Sequence, residues 1–172
     1  DWSSDVCSSD LPAAGDLVDG MIRAWALLGA GRAGESLAAF KKLADVQGAA
    51  PMVNYHLALA KAKVGDFEGA ELLLADPATG GHILGVIARA QVLSQLERNK
   101  DAIAMLEATP GFAEEPHLIA LRDRMAKGET LPFDSVRTPA DGMAQVFLTF
   151  GTSMVNNEEP DPLSLIHARL AE

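Results

Sequence analysis

The sequence predicts an all-α protein built from antiparallel helix-turn-helix repeats. Two observations lead to this fold class: a ten-residue stretch that returns along the chain, and apolar residues at helical spacing between its copies. GRAGESLAAF at 31–40 returns as GDFEGAELLL at 65–74, which is 34 residues later, and more loosely as ERNKDAIAML at 97–106. Each copy is expected to begin in a turn and to continue into the second helix of a pair.

A small side chain recurs at one place in each predicted helix. Such a residue is expected where a helix crosses its partner closely, with an apolar residue one turn later on the same face. The predicted packing positions are Ala24, Ala58 and Ala90 in the first helices and Ser36, Ala70 and Ala102 in the second helices.

Apolar residues at spacings of three and four predict three helix pairs. Proline supports the boundaries, because its fixed φ suits the first helical position and it cannot continue a helix. A Gly-rich turn is expected at 79–81. The first pair is predicted over 16–30 and 33–47. The second pair begins at Pro51, and its second helix runs from Phe67 to before Pro77. The third pair is predicted over 83–96 and 99–108.

The repeat pattern changes after the third pair. A helix is still predicted over 114–127, but GETLPFDSVR at 128–137 contains Pro132 and polar residues and is interpreted as an extended connector. Thr138 is expected to cap the next helix, which runs to about 155. Pro139 is in its first position, and the Asp141 side chain is placed to reach back to the cap. Residues 138–172 are predicted to form a helical hairpin whose last helix begins at 161–162. The predicted repeat region is therefore 12–127.

The first eleven residues, DWSSDVCSSDL, resemble a translated sequencing adapter. We interpret residues 1–11 as a non-native, disordered or extended scar, because a secretory signal would need an unbroken apolar core. A solvated natural tail is the alternative. The last helix carries no end signal, so the chain is expected to be an internal fragment of a longer protein.

Composition argues against several classes of function. The formal net charge of −10 becomes −7 without the three aspartates of the first eleven residues, whereas a nucleic-acid surface needs clustered Lys and Arg. No cysteine follows Cys7, so the sequence offers neither a disulfide framework nor a thiolate metal site. The longest apolar runs are much shorter than a membrane span.

Catalytic motifs are missing from the sequence. The four histidines are 26, 35 and 50 residues apart, and none forms an H-E-x-x-H pair. There is no G-x-S-x-G elbow and no phosphate loop that follows a strand. We therefore predict no enzyme activity, no cofactor and no metal site.

The 34-residue period is that of tetratricopeptide repeats, and the chain resembles bacterial proteins of that family. The phrases LVDGMIRAWALLGAGR, VGDFEGAELLL, AQVLSQLERNKDAIAMLE and GETLPFDSVRTPADGMAQVF carry the resemblance. The bulky aromatic that the family places in the first helix is replaced here by Gly20, Asn54 and Val86. The resemblance implies a right-handed solenoid segment and a location in the bacterial periplasm or cell envelope, with the cytoplasm as the alternative.

The family resemblance also implies a concave groove lined by the first helix of each pair. The expected groove residues share one helical face in each repeat: Met21, Trp25 and Leu28; Tyr55, Leu59 and Ala62; and Ile87, Gln91 and Ser94. This surface is apolar and aromatic toward the first repeat and bears amides toward the third. Tyr55 is expected to be partly open to solvent. The alternative is that Trp25 and Met21 pack against a missing preceding repeat.

Three hypotheses of function remain open from the sequence. The first is a non-catalytic scaffold that binds a protein or peptide partner, and the second is a structural spacer inside a longer repeat protein. The third is an enzyme or metal site in the atypical region after residue 114. A solenoid cut at both ends is expected to self-associate through exposed apolar residues, here Met21 and Trp25 at one end and Leu163, Ile166 and Leu170 at the other.

Overall fold

The computed structural model describes residues 14–155, and every regular element within this range is helical. The all-α prediction is confirmed for this part of the chain. Residues 1–13 and 156–172 lie outside it, as do the predicted scar and the predicted last helix. The α-helices are α1 (Ala14–Gly29), α2 (Ala33–Ala44), α3 (Ala50–Lys63), α4 (Phe67–Leu74), α5 (Pro77–Gly80), α6 (Ile83–Gln95), α7 (Asn99–Glu107), α8 (Pro116–Ala126) and α9 (Pro139–Val155), and a 3-10 helix spans Phe112–Glu114.

The one-turn helix α5 forms where the sequence predicted a Gly-rich turn. Its start has the chemistry of a helix N-terminus, because the Asp76 carboxylate accepts a hydrogen bond from the Ala78 N–H at 3.0 Å. Pro77 occupies the first turn, where its missing N–H costs nothing. The cap at Asp76 and the proline at 77 therefore start a helix even though Gly80 and Gly81 follow.

Neighbouring helices pack in chain order, and the last described helix returns to the first. α1 packs on α2, α2 on α3, α3 on α4, α4 on α6, α6 on α7, and α7 on α8. α9 does not extend this series. It packs on α1 and α3, which are the first helices of the first two pairs.

The turn between the two helices of a pair recurs in the same form. Each turn contains one residue with a positive φ, and the N–H of the following residue bonds to a carbonyl five positions before it, as in a Schellman cap. The chain makes this turn after α1, α3, α6 and α8. The positive-φ residues are Gly31 (77°), Gly65 (89°), Glu97 (59°) and Gly128 (84°).

At the fourth turn the chain keeps the turn but does not form the following helix. Five residues after the first three turns stand Ser36, Ala70 and Ala102, whereas Phe133 stands five residues after the fourth. A phenylalanine ring is too large for the close helix crossing that the small residues allow. Pro132 also lacks the N–H of a helical residue. Residues 129–138 accordingly contain no helix or strand.

The small residues predicted to lie at helix crossings are all inaccessible to solvent. Ala24, Ser36, Ala58, Ala70, Ala90 and Ala102 are each 0% exposed. Ser36 differs in chemistry, since its Oγ is buried without a hydrogen-bond partner among the described residues. Their role in defining a superhelical repeat stays a prediction.

The predicted cap of α9 is confirmed. Thr138 Oγ1 accepts a hydrogen bond from the Asp141 N–H at 3.2 Å, and Asp141 Oδ2 accepts from the N–H groups of Thr138 and Arg137, both at 2.9 Å. The hydrogen bond from the Thr138 main chain is the largest cause of a lowered pKa for the Asp141 carboxyl. This reciprocal cap fixes the point at which the chain enters α9.

Candidate functional site

The nine predicted groove residues lie on α1, α3 and α6, and we call them the inner strip. Its apolar half comprises Met21, Trp25, Leu28, Tyr55, Leu59 and Ala62, and its amide half comprises Ile87, Gln91 and Ser94. All of them are buried except Ile87, which is partly buried. The strip is buried because later parts of the same chain cover it.

α9 covers the apolar half of the inner strip. The Trp25 ring meets Phe40 of α2 edge-on, with 5.6 Å between ring centroids, and it also lies against Gly142 of α9. A Cβ at position 142 would clash with the Trp25 ring. The expectation that Met21 and Trp25 form an open apolar end is wrong, because both are fully buried once α9 packs on α1. Leu163, Ile166 and Leu170 lie outside the described residues.

A chain of hydrogen bonds links the apolar half to α9. Trp25 Nε1 donates to His56 Nδ1 at 3.3 Å, and His56 Nε2 lies 3.1 Å from Thr149 Oγ1. Because Nδ1 accepts from the indole, we assign the imidazole proton to Nε2, which then donates to the threonine hydroxyl. Thr149 Oγ1 in turn donates to the Gln145 carbonyl at 2.8 Å.

His56 is held in its neutral form. Burial in this apolar surrounding, together with a smaller contribution from the neighbouring His82, lowers the pKa of His56 to about 3. Protonation would place a second N–H at Nδ1, directly opposite the donating N–H of Trp25. The imidazole is therefore occupied by structural hydrogen bonds that link α1, α3 and α9.

Tyr55 is buried, with 1% of its surface exposed, and the expectation that its ring is partly open to solvent is wrong. Its hydroxyl donates to Gln145 Oε1 of α9 at 2.8 Å, and Gln145 Nε2 donates to the Ser135 carbonyl at 2.6 Å. The ring meets His82 edge-on at 4.6 Å between centroids. Burial raises the pKa of the Tyr55 hydroxyl above its ordinary value. Its role here is to hold α9 and the preceding segment.

The connector predicted at residues 128–137 covers the amide half of the inner strip. The Gln91 side chain binds two consecutive residues of the connector. Its Oε1 accepts from the N–H groups of Asp134 and Ser135 at 3.1 and 3.0 Å and from Ser135 Oγ at 2.8 Å. Its Nε2 donates to Asp134 Oδ1 at 2.6 Å.

Further side chains bind the main chain of the connector. Ser94 Oγ accepts from the Leu131 N–H at 2.8 Å, and Gln95 Nε2 donates to the Leu131 carbonyl. Asn99 Nδ2 donates to the carbonyl of residue 129 at 2.9 Å, and Lys63 Nζ donates to the carbonyl of residue 137. The connector thus runs back along α6, from its C-terminal end toward Gln91.

Sequence reasoning named Gln91 and Ser94 but missed Gln95, Asn99 and Lys63. A signal was available for two of the three. Gln91, Gln95 and Asn99 are amides spaced four residues apart, which places the first two on one helical face. Lys63 left no such signal, because its partner lies 74 residues further along the chain.

A cavity of about 670 Å³ opens at the edge of the apolar half. Met52, Tyr55, His82, Ile83, Leu84 and Leu148 contribute to its wall. His82 Nδ1 accepts a hydrogen bond from the Gly85 N–H at 3.3 Å and so caps α6, and burial lowers its pKa. The wall is mainly apolar, which suits an apolar occupant more than a charged one.

No group of three or more His, Cys, Asp or Glu side chains between residues 14 and 155 is placed to hold a metal ion. None of the helices in the same range is long and apolar enough to cross a membrane. Comparison of the chain with protein-family models, with curated proteins and with solved structures gives no match.

Proposed function

We propose that the chain is a non-catalytic scaffold for a protein or peptide partner, and that it is a segment of a longer protein of the tetratricopeptide-repeat type. The recurring turns at Gly31, Gly65, Glu97 and Gly128 support the repeat assignment, because each ends a first helix in the same way. A stack of such helix pairs offers a long inner surface for binding, as solenoids generally do.

One observation carries the binding role: the amide half of the inner strip holds a non-helical peptide segment. Gln91 and Ser94 of the amide half, with the neighbouring Gln95, bind main-chain N–H and C=O groups of the connector. Every peptide carries those groups, so a surface that binds them suits a peptide ligand. The neutral, hydrogen-bonded His56 gives no comparable support to an acid-base enzyme.

The second candidate is a structural spacer within the longer protein. Burial favours it, because the apolar half of the strip is covered by α9 and offers little free surface. A spacer would use its helices only to connect and orient the repeats on either side.

Selection from a random peptide library separates the two candidates when it is made both on the purified chain and on its Leu131→Ala variant, in which the connector that covers the amide half is loosened. A scaffold is expected to enrich peptides whose binding is lost in Gln91→Ala and kept in Leu72→Ala. Leu72 is a suitable control because it is 76% exposed on α4. If no peptide is enriched, or if Gln91→Ala leaves binding unchanged, the inner strip is not a binding site and the spacer is favoured.

A further inference from the structure

We propose that the connector is a built-in ligand of the amide half, and that the partner of this site is a non-helical peptide with the pattern Leu-x-Phe-Asp-Ser-Val. The inference rests on the proposed binding function and names the ligand chemistry of the same site. In the chain as it stands, residues 131–136 supply this pattern themselves, so a partner must displace them.

The connector occupies the strip in place of a helix. After Gly128 the chain makes the turn that elsewhere leads into a second helix, but Phe133 stands where the other copies have a small residue. The chain then lies along α6 and is held there by side chains of other elements. This is the arrangement of a bound peptide: its main-chain groups are satisfied by the surface beneath it.

Two kinds of contact define what the site recognises. Leu131 and Val136 are buried, at 1% and 0% exposure, so the site requires apolar side chains five positions apart. Between them, Gln91 binds the Asp134 carboxylate with its N–H and the Ser135 hydroxyl with its carbonyl oxygen. Pro132 is exposed, so its position is free to vary, whereas Phe133 is partly buried and meets Phe67 of α4 edge-on, with 6.4 Å between ring centroids.

Recognition of the Asp-Ser pair is specific because one amide matches both residues at once. Gln91 Nε2 needs an acceptor, which Asp134 supplies, and Oε1 needs donors, which Ser135 and two main-chain N–H groups supply. An amide in place of the aspartate could turn its own N–H toward Nε2, and a residue without a hydroxyl would lose the side-chain donor. A matching peptide therefore pairs every polar atom of Gln91.

The tether sets how strongly the connector competes. It is joined to α8 at one end and to α9 at the other, and a short tether gives an effective concentration on the order of millimolar. A free peptide with the same contacts therefore binds the intact chain weakly. Any change that loosens the connector, without touching α6, should raise the affinity for the free peptide.

The test is the binding of a fluorescently labelled synthetic peptide with the sequence of residues 128–138, measured by anisotropy. Leu131→Ala in the chain removes a buried side chain of the competitor and leaves Gln91, Ser94 and Gln95 in place. We expect this variant to bind the peptide at least about tenfold more tightly than the unchanged chain. Adding Gln91→Ala to the same chain should remove the gain.

Controls separate the possible outcomes. A peptide with Asp in place of its Leu131 should not bind the loosened chain more tightly than the unchanged chain. The chain variant Leu72→Ala should bind the original peptide with the affinity of the unchanged chain. If Leu131→Ala fails to fold by circular dichroism, Asp134→Ala, which alters an exposed side chain of the connector, replaces it. Equal affinity for the intact and the loosened chain would mean that the connector does not compete, and no binding to a folded, loosened chain would mean that the pattern is wrong. Both results overturn this inference, whereas the library selection tests the binding function separately.

Discussion

The two halves of the inner strip are covered in different ways, and the difference follows from their side chains. The apolar half lies under α9, a helix whose main-chain groups are already paired within it, so the strip contacts α9 through side chains alone, such as Trp25 and the Tyr55 hydroxyl. The amide half lies under the connector, whose main chain has no internal partners and takes them from Gln91 and Ser94. The composition of each half therefore matches the conformation of the segment that covers it.

The largest expected loss of stability comes from a substitution in the apolar half. Trp25→Ala should destabilise the chain by about 3 to 5 kcal/mol, because it removes a buried ring that joins α1 to α2 and α9. Urea unfolding followed by circular dichroism measures the change. Leu72→Ala is the control, and it should stay within about 0.5 kcal/mol of the unchanged chain, as is usual for an exposed side chain. Similar losses in the two variants would contradict the burial of the Trp25 ring between α2 and α9.

Two glycine substitutions test the contact between α9 and the Trp25 ring more directly. Gly142→Ala should cost about 1 to 3 kcal/mol, because the new methyl group overlaps the Trp25 ring. Gly34→Ala in α2 should instead stabilise by about 0.5 to 1 kcal/mol, since nothing lies within 4 Å and alanine is the better helix former. Opposite signs of the two changes in urea midpoint are the expected result. A stabilising Gly142→Ala would contradict the close approach of α9.

Low pH should lower the free energy of unfolding through His56. Its folded pKa of about 3 lies below the unfolded value near 6.5, so the unfolded chain binds more protons between these values. The contribution of the neutral imidazole is complete above about pH 7 and falls as the pH drops from 6.5 toward 3, with a loss of about 2 kcal/mol at pH 5.

His56→Gln provides the control for this pH dependence. Glutamine can accept from Trp25 and donate to Thr149, but it does not titrate. The slope of unfolding free energy against pH between 5 and 7 should therefore be smaller in the variant. Equal slopes would assign the pH dependence to other groups, His82 among them, whose pKa is lowered as well.

The smallest expected effect concerns the turn that ends α6, the helix of the amide half. Glu97 takes a φ of 59° where the two preceding turns have glycine. Glu97→Gly should stabilise the chain by up to about 1 kcal/mol, because glycine adopts this conformation without strain. Gly65→Ala, at the equivalent position after α3, should destabilise it. Thermal unfolding of both variants checks the pair, and a destabilising Glu97→Gly would contradict the equivalence of the turns.

The sequence by itself determined the described helices other than α5, their turns and the cap at Thr138, because these depend on residues a few positions apart. It also indicated the inner strip, since residues three and four apart share a helical face. Only the tertiary structure decided what covers that strip. The contacts that do so join Tyr55 to Gln145 and His56 to Thr149, which are 90 and 93 residues apart. Helical periodicity identifies an apolar face, but it carries no information on which distant segment of the chain will pack against it.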